Sequence, residues 1–295
     1  MRPTVQPVLI GTPASTPGSP AATAPVRFGS DRLSLIAGPC VLEDEGMALE
    51  VARELARITG ALGMPFVFKA SYTKANRSAG ASYRGPGLDR GLAALARIRE
   101  AAGVPITSDV HESDEVPEAA AVLDLIQIPA FLCRQTALIE AAGASGKPVH
   151  LKKGQFLDPA SMARAVEKAR GAGAPGVIVT ERGTTFGYGD LVVDFRGFGV
   201  MRRFGCPVFY DATHSVQQPG GVETGGQREF IPLLARAAVA AGVDGIFLEA
   251  HPDPTRAQSD RECQWPLAQV ESLLRSLLKI REASADIRTM EEQRA

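Results

Sequence analysis

The 295-residue sequence has no apolar run approaching the ~18 residues that a membrane-spanning helix needs. It holds four cysteines, Cys40, Cys133, Cys206 and Cys263, with no CxxC pair among them. So sparse a set in so long a chain is no disulfide framework, and a reducing cytoplasm is the expected compartment. An excess of charge is also missing: 32 Lys+Arg stand against 33 Asp+Glu. Nothing in that balance points to a nucleic-acid partner or an anionic membrane surface. Neither a Walker A loop nor a GxGxxG fingerprint occurs, which leaves a nucleotide cofactor without support. Self-similar repeats are absent too, which argues against a solenoid.

Residues 1–30 lack acidic side chains altogether and carry six prolines. Their apolar stretch, Val8-Leu9-Ile10, is too short for a secretory core, and their two arginines are too few for an organellar leader. The segment is expected to be a flexible extension, in which Val8–Ile10 and Val26–Phe28 can pair as a short hairpin. The catalytic unit is expected over residues 31–285, with 286–295 as a C-terminal tail.

From Leu33 onward short apolar runs recur: Leu33–Ala37, Phe66–Ala70, Ile106–Val110, Leu125–Ile128, Val149–Lys152, Val177–Thr180, Val208–Tyr210 and Ile246–Leu248. Gly or Pro precedes most of them, as at Met64-Pro65, Val104-Pro105 and Asp244-Gly245. Stretches with apolar residues at three-to-four spacing lie between them, for example Met47–Ile58, Leu88–Ile98, Met162–Ala169 and Phe230–Val239. Eight strands alternating with helices predict a (β/α)8 barrel in one domain, an α/β fold; a doubly wound open sheet is the alternative.

A barrel of this kind keeps its chemistry at the C-terminal strand ends. Reactive side chains do follow each run. Cys40 follows the first, Lys69 and Lys74 to Ser78 the second, and Asp109 and His111 the third. Gln127 ends the fourth, Lys152 and Lys153 the fifth, and Arg182 follows the sixth. Asp211 and His214 follow the seventh, and Glu249 the eighth. The cations Lys69, Lys74, Arg77, Lys152, Lys153 and Arg182 would share one rim. Lone charges are costly to bury, so their convergence points to anionic substrates bearing phosphate or carboxylate. The plainer alternative is that each pairs with a neighbouring Asp or Glu. Cys40, His214, Glu249 and Asp260 supply ligand types that suit Zn²⁺, Fe²⁺ or Mn²⁺. By itself Cys40 reads equally as a small buried hydrophobe.

Several long strings carry a resemblance. They are Phe68-Lys69-Ala70-Ser71-Tyr72-Thr73-Lys74-Ala75-Asn76-Arg77-Ser78, Gln127-Ile128-Pro129-Ala130-Phe131-Leu132-Cys133-Arg134-Gln135, Lys152-Lys153-Gly154-Gln155-Phe156 and Asp211-Ala212-Thr213-His214-Ser215-Val216-Gln217. Over roughly residues 33–280 the chain resembles the 3-deoxy-D-manno-octulosonate 8-phosphate synthases, in particular the metal-dependent type, which has cysteine after Ala-Gly-Pro. The resemblance implies condensation of phosphoenolpyruvate with arabinose 5-phosphate for lipopolysaccharide synthesis. It implies that Lys69, Lys74, Gln127, Lys152 and Arg182 hold phosphoenolpyruvate. Asn76, Arg77 and Ser78 would hold the pentose phosphate, with Arg134 reaching in from a neighbour in a homotetramer. Cys40, His214, Glu249 and Asp260 would hold the divalent metal. Lys74, Asp109, His111, Lys152 and His214 are the catalytic candidates, and the sequence does not rank Asp109, His111 and His214 as proton carriers. The related synthase that takes erythrose 4-phosphate is the alternative; its sugar-phosphate loop typically reads Lys-Pro-Arg-Thr-Ser, against Lys74-Ala75-Asn76-Arg77-Ser78 here.

Overall fold

The structure is a computed structural model that describes residues 5–11, 23–75, 82–219 and 225–285. Eight parallel strands form the centre: β1 Ser34–Gly38, β2 Phe66–Lys69, β3 Ile106–Asp109, β4 Leu125–Ile128, β5 Val149–Lys152, β6 Val177–Glu181, β7 Val208–Asp211 and β8 Gly245–His251. Each pairs with its neighbour in chain order. The β8–β1 register, Gly245↔Ser34 to Glu249↔Gly38, closes the ring into a barrel, so the open-sheet alternative is set aside. Helices α1 Glu45–Leu62, α2 Leu88–Ala102, α3 Val116–Val122, α4 Thr136–Ala144, α5 Met162–Gly171, α6 Arg196–Arg202 and α7 Ile231–Ala240 fill the crossovers, and α8 Val270–Ala283 follows β8.

The period of two along each strand sorts the core into two layers. Leu35, Phe66, Phe68, Val149, Leu151, Val208, Tyr210, Ile246 and Leu248 face outward into the helix layer. Ile36, Val67, Leu125, Ile178, Phe209 and Phe247 face inward and meet one another inside the barrel. The inward positions at the C-terminal ends are different in kind: Lys69, Asp109, Gln127, Lys152, Asp211 and Glu249, all buried. One alternation thus produces a dry floor and a charged upper layer.

The helices end where local chemistry ends them. Asp44 caps α1 by accepting the Met47 N–H at 2.8 Å, and Gly63, with φ 64°, closes it by donating to Gly60 O and Thr59 O. Below the barrel, Val8–Ile10 pairs antiparallel with Val26–Phe28 as the sequence suggested. Val8, Ile10 and Phe28 are buried against the inward floor residues, and the Phe28 and Phe209 rings lie 5.1 Å apart. The described part of residues 1–30 therefore contributes to the barrel core itself.

Candidate active site

The metal-ligand candidates come from three places. Cys40 follows β1 and is fully buried; its thiol donates to Ser259 Oγ at 2.8 Å and to Asp260 Oδ2 at 3.1 Å. Its backbone N–H donates to Gln264 Oε1 at 3.3 Å. Glu249 lies on β8, anchored by its N–H to Thr213 Oγ1 at 2.7 Å. Asp260 sits in the loop beyond β8 with φ 46°, the one non-glycine with positive φ among the described residues. That left-handed turn folds the loop back, and aspartate is among the few side chains that tolerate it.

Cys40, Glu249 and Asp260 bring one ligand atom each within 4.8 Å of the others. His214 borders this trio, its Nε2 3.5 Å from Glu249 Oε1 and its Nδ1 2.8 Å from Asp211 Oδ2. A histidine held by a carboxylate on one nitrogen presents the other to a metal. Glu249 Oε2 is buried with no hydrogen-bond partner among the described residues, which costs free energy unless a cation or proton meets it. Burial first, then Glu249, pushes the Cys40 thiol well up, so it needs a cation beside it to ionise. Asp260 is held down at about 2: burial opposes its charge, but His214, Lys74 and its hydrogen bonds outweigh that. A thiol and two carboxylates converging in this way, with an imidazole at their border, fit a divalent transition ion.

The cations are more fully partnered than the sequence suggested. Lys69 donates to Cys40 O at 2.8 Å, Ser71 Oγ at 2.9 Å and Glu249 Oε1 at 3.0 Å. Lys152 pairs with Asp211 and lies over the Phe247 ring, 3.2 Å from its centroid. Burial pulls Lys152 down to about 8 even though Asp211 pushes the other way. Lys74 runs opposite: burial disfavours its charge, yet Cys40, Asp109, Glu249 and Asp260 together raise it above the ordinary lysine value. Lys153 does not join the rim. Its ammonium is spent on Gly154 O, Leu157 O and Thr184 Oγ1, and lies 3.3 Å from Glu181. It takes the opposite pleat from Lys152, so adjacent lysines part company.

Unused capacity remains where an anion would arrive. Arg182 is buried; its Nη2 donates to Gln217 at 2.5 Å, while Nη1 has no partner among the described residues. Gln127 Oε1 is also unpartnered among the described residues, an acceptor that suits a hydroxyl or water and not the anion itself. Asp109 accepts from Ser71 Oγ at 2.5 Å and meets His111 Nε2 at 3.1 Å. Burial opposes the Asp109 charge, but Lys74, His111 and Lys69 hold the carboxyl well below its usual range. Burial works against protonation of His111, and Asp109 and Glu115 more than offset it, so its pKa is raised. His111 Nδ1 is buried, makes no hydrogen bond among the described residues and lies 3.7 Å from Glu115 Oε2. Arg134 is exposed on the loop before α4. Asn76, Arg77 and Ser78 lie outside the described residues.

Sequence reasoning gave no role to Asp211, which grips both His214 and Lys152, nor to Phe247, Ser71, Gln217 and Gln264. Asp211 was findable, as a strand-end carboxylate three residues before His214. Phe247 was not, because an apolar strand residue gives no sign of the cation above it.

The chain matches known proteins over most of its length. Residues 15–285 match the family described as DAHP synthetase I, and the chain belongs to that family. Its relatives include proteins named 2-dehydro-3-deoxyphosphooctonate aldolase. The one from Acidithiobacillus ferrooxidans is 55% identical over 248 residues, covering 83% of this chain and 88% of the relative. Those from Aromatoleum aromaticum and Desulfotalea psychrophila are 56% and 57% identical over 250 and 253 residues, covering 83% and 85% of this chain and 90% of each relative.

Proposed function

We propose that this protein condenses phosphoenolpyruvate with D-arabinose 5-phosphate and water, giving 3-deoxy-D-manno-octulosonate 8-phosphate and inorganic phosphate for lipopolysaccharide synthesis. The observation that carries this reading is the juxtaposition of two half-sites. Arg182, with an unpartnered Nη1 among the described residues, and Lys152, paired with Asp211, adjoin the Cys40, Glu249 and Asp260 trio, Arg182 being joined to Asp260 through Gln217. The names of the relatives favour the eight-carbon product over the erythrose 4-phosphate alternative, as does the Lys74-Ala75-Asn76-Arg77-Ser78 loop.

Lys69, Lys74, Gln127, Lys152 and Arg182 bind phosphoenolpyruvate through its carboxylate and phosphate. Asn76, Arg77 and Ser78 hold the pentose phosphate. The cations offset repulsion between two anionic substrates and turn a bimolecular encounter into an oriented one. C3 of phosphoenolpyruvate then forms a bond to the aldehyde carbon as the aldehyde oxygen gains a proton. Water adds at C2, losing a proton, and phosphate leaves from that carbon by C–O cleavage.

His111 is the residue best placed to carry a proton among the three candidates. Its nitrogens face Asp109 at 3.1 Å and Glu115 at 3.7 Å, much as those of His214 face Asp211 and Glu249, but His214 is also a metal-ligand candidate, which leaves His111 the freer of the two. Cys40, His214, Glu249 and Asp260 would hold a divalent ion, which supplies Lewis acidity and a lowered water pKa when bound. A cytoplasmic homotetramer, with Arg134 completing a neighbour's site, is consistent with that arginine's exposure on the rim.

Phosphate release with each aldose, before and after chelation, tests the reading. Turnover with arabinose 5-phosphate, and little with erythrose 4-phosphate, is the expected result. The reverse preference would sink it.

A further inference from the structure

Gln217 touches both half-sites, as Asp211 does from the other side. It opens a two-residue strand, Gln217–Gln218, paired antiparallel with Gly225–Gly226. Its Oε1 accepts from Arg182 Nη2 at 2.5 Å, and its Nε2 donates to Asp260 Oδ1 at 2.7 Å. A guanidinium only donates and a carboxylate only accepts, so the amide can be seated in one orientation alone. The other Asp260 oxygen, Oδ2, lies 3.1 Å from the Cys40 thiol. Arg182 Nη1 is buried and unpartnered among the described residues. The line therefore runs from an uncommitted guanidinium nitrogen, through one amide, to a carboxylate of the metal-ligand set.

We propose that Gln217 is a positioning residue that couples the two half-sites, so that a metal ion on Asp260 strengthens anion binding at Arg182. This deepens the reading of the site given above and rests on it. A cation held by Asp260 would fix the plane of its carboxylate. Oδ1 then holds the amide, and the amide holds the guanidinium with Nη1 turned to the incoming anion. By reciprocity, phosphoenolpyruvate bound at Arg182 tightens the metal by the same factor. Substitution with methionine keeps the length and apolar stem but removes both hydrogen bonds. Glutamate keeps an acceptor for Arg182 and has no donor for Asp260.

The test uses the full chain, stripped of metal and reloaded with Zn²⁺. Zn²⁺ affinity is measured by chelator competition, and phosphoenolpyruvate affinity by calorimetry with and without Zn²⁺. In Q217M the Zn²⁺ affinity falls roughly 10- to 100-fold, the usual consequence of removing a hydrogen bond behind a metal ligand. The factor by which Zn²⁺ improves phosphoenolpyruvate binding falls at least about fivefold in both Q217M and Q217E, leaving the through-space attraction of cation and anion. Wild-type Zn²⁺ affinity in Q217M, or a wild-type coupling factor in either folded variant, overturns the proposal. So does a wild-type protein whose phosphoenolpyruvate affinity ignores Zn²⁺. A wild type that binds no phosphoenolpyruvate at all refutes the functional reading instead, and the Zn²⁺ measurement on Q217M still decides whether Gln217 supports Asp260.

Discussion

Asp211 holds His214 twice: Oδ1 accepts its backbone N–H at 2.8 Å, and Oδ2 lies 2.8 Å from its Nδ1. The same carboxylate receives the Lys152 ammonium. One strand-end aspartate thus orients a metal-ligand candidate and neutralises a cation proposed to bind phosphoenolpyruvate.

Asp211→Asn keeps the shape and removes the charge. Turnover and Zn²⁺ affinity should each drop roughly 10- to 100-fold, as when other carboxylates behind a metal-binding histidine are removed. Far-UV circular dichroism should be unchanged. Steady-state kinetics and chelator competition check both effects, and values within about twofold of wild type would mean that Asp211 does not orient His214.

The pH profile should report Lys152. Its ammonium, held at about 8 rather than the ordinary 10.5, is charged below that value and neutral above it. Anion binding needs the charged form, so kcat/KM for phosphoenolpyruvate should fall as pH rises through about 8. Asp211 favours the charged form, so in Asp211→Asn the falling limb moves to lower pH. A plateau that persists to the ordinary lysine range would assign substrate binding to other cations.

The hairpin beneath the barrel should matter for stability and not for chemistry. Phe28→Ala removes a ring packed on Phe209 and should cost about 3–5 kcal/mol, as large-to-small core changes do. None of the proposed site residues lies in residues 1–28, so both KM values should remain at wild type. Urea unfolding and kinetics on the same preparation test the pair of statements. A changed KM with unchanged stability would contradict them.

Loss of the thiolate should weaken metal binding more than it weakens the fold. Cys40→Ala leaves one imidazole and two carboxylates, a harder and less complete set. Bound metal, read by elemental analysis, should fall together with turnover, and chelated wild type should lose turnover in the same way until Zn²⁺, Fe²⁺ or Mn²⁺ is restored. Full activity in wild type shown to be metal-free would remove the metal from the mechanism.

Much of the architecture was legible because it depends on local pattern. Breakers before apolar runs and three-to-four spacing between them specify strands and helices, and eight such alternations leave few ways to bury every apolar face. The positions of Lys69, Asp109, Gln127, Lys152, Asp211 and Glu249 followed as well, since a period of two sends each to the inside of its strand end. Partnership was different. Lys69 and Glu249 are 180 residues apart in sequence and 3.0 Å apart in space, and no local pattern pairs them. Barrel closure, which sets β8 beside β1, decides that contact, as it decides that Asp260 meets Cys40. Lys152 and Lys153 carry the same side chain, yet one faces the charged inner layer and the other ties down carbonyls, because the pleat reverses between them. The sequence by itself determined which elements form and which residue types stand at their ends; tertiary structure decided which charges neutralise one another and which are left for a ligand, because only the folded ring sets the distances on which Coulomb forces and hydrogen bonds depend.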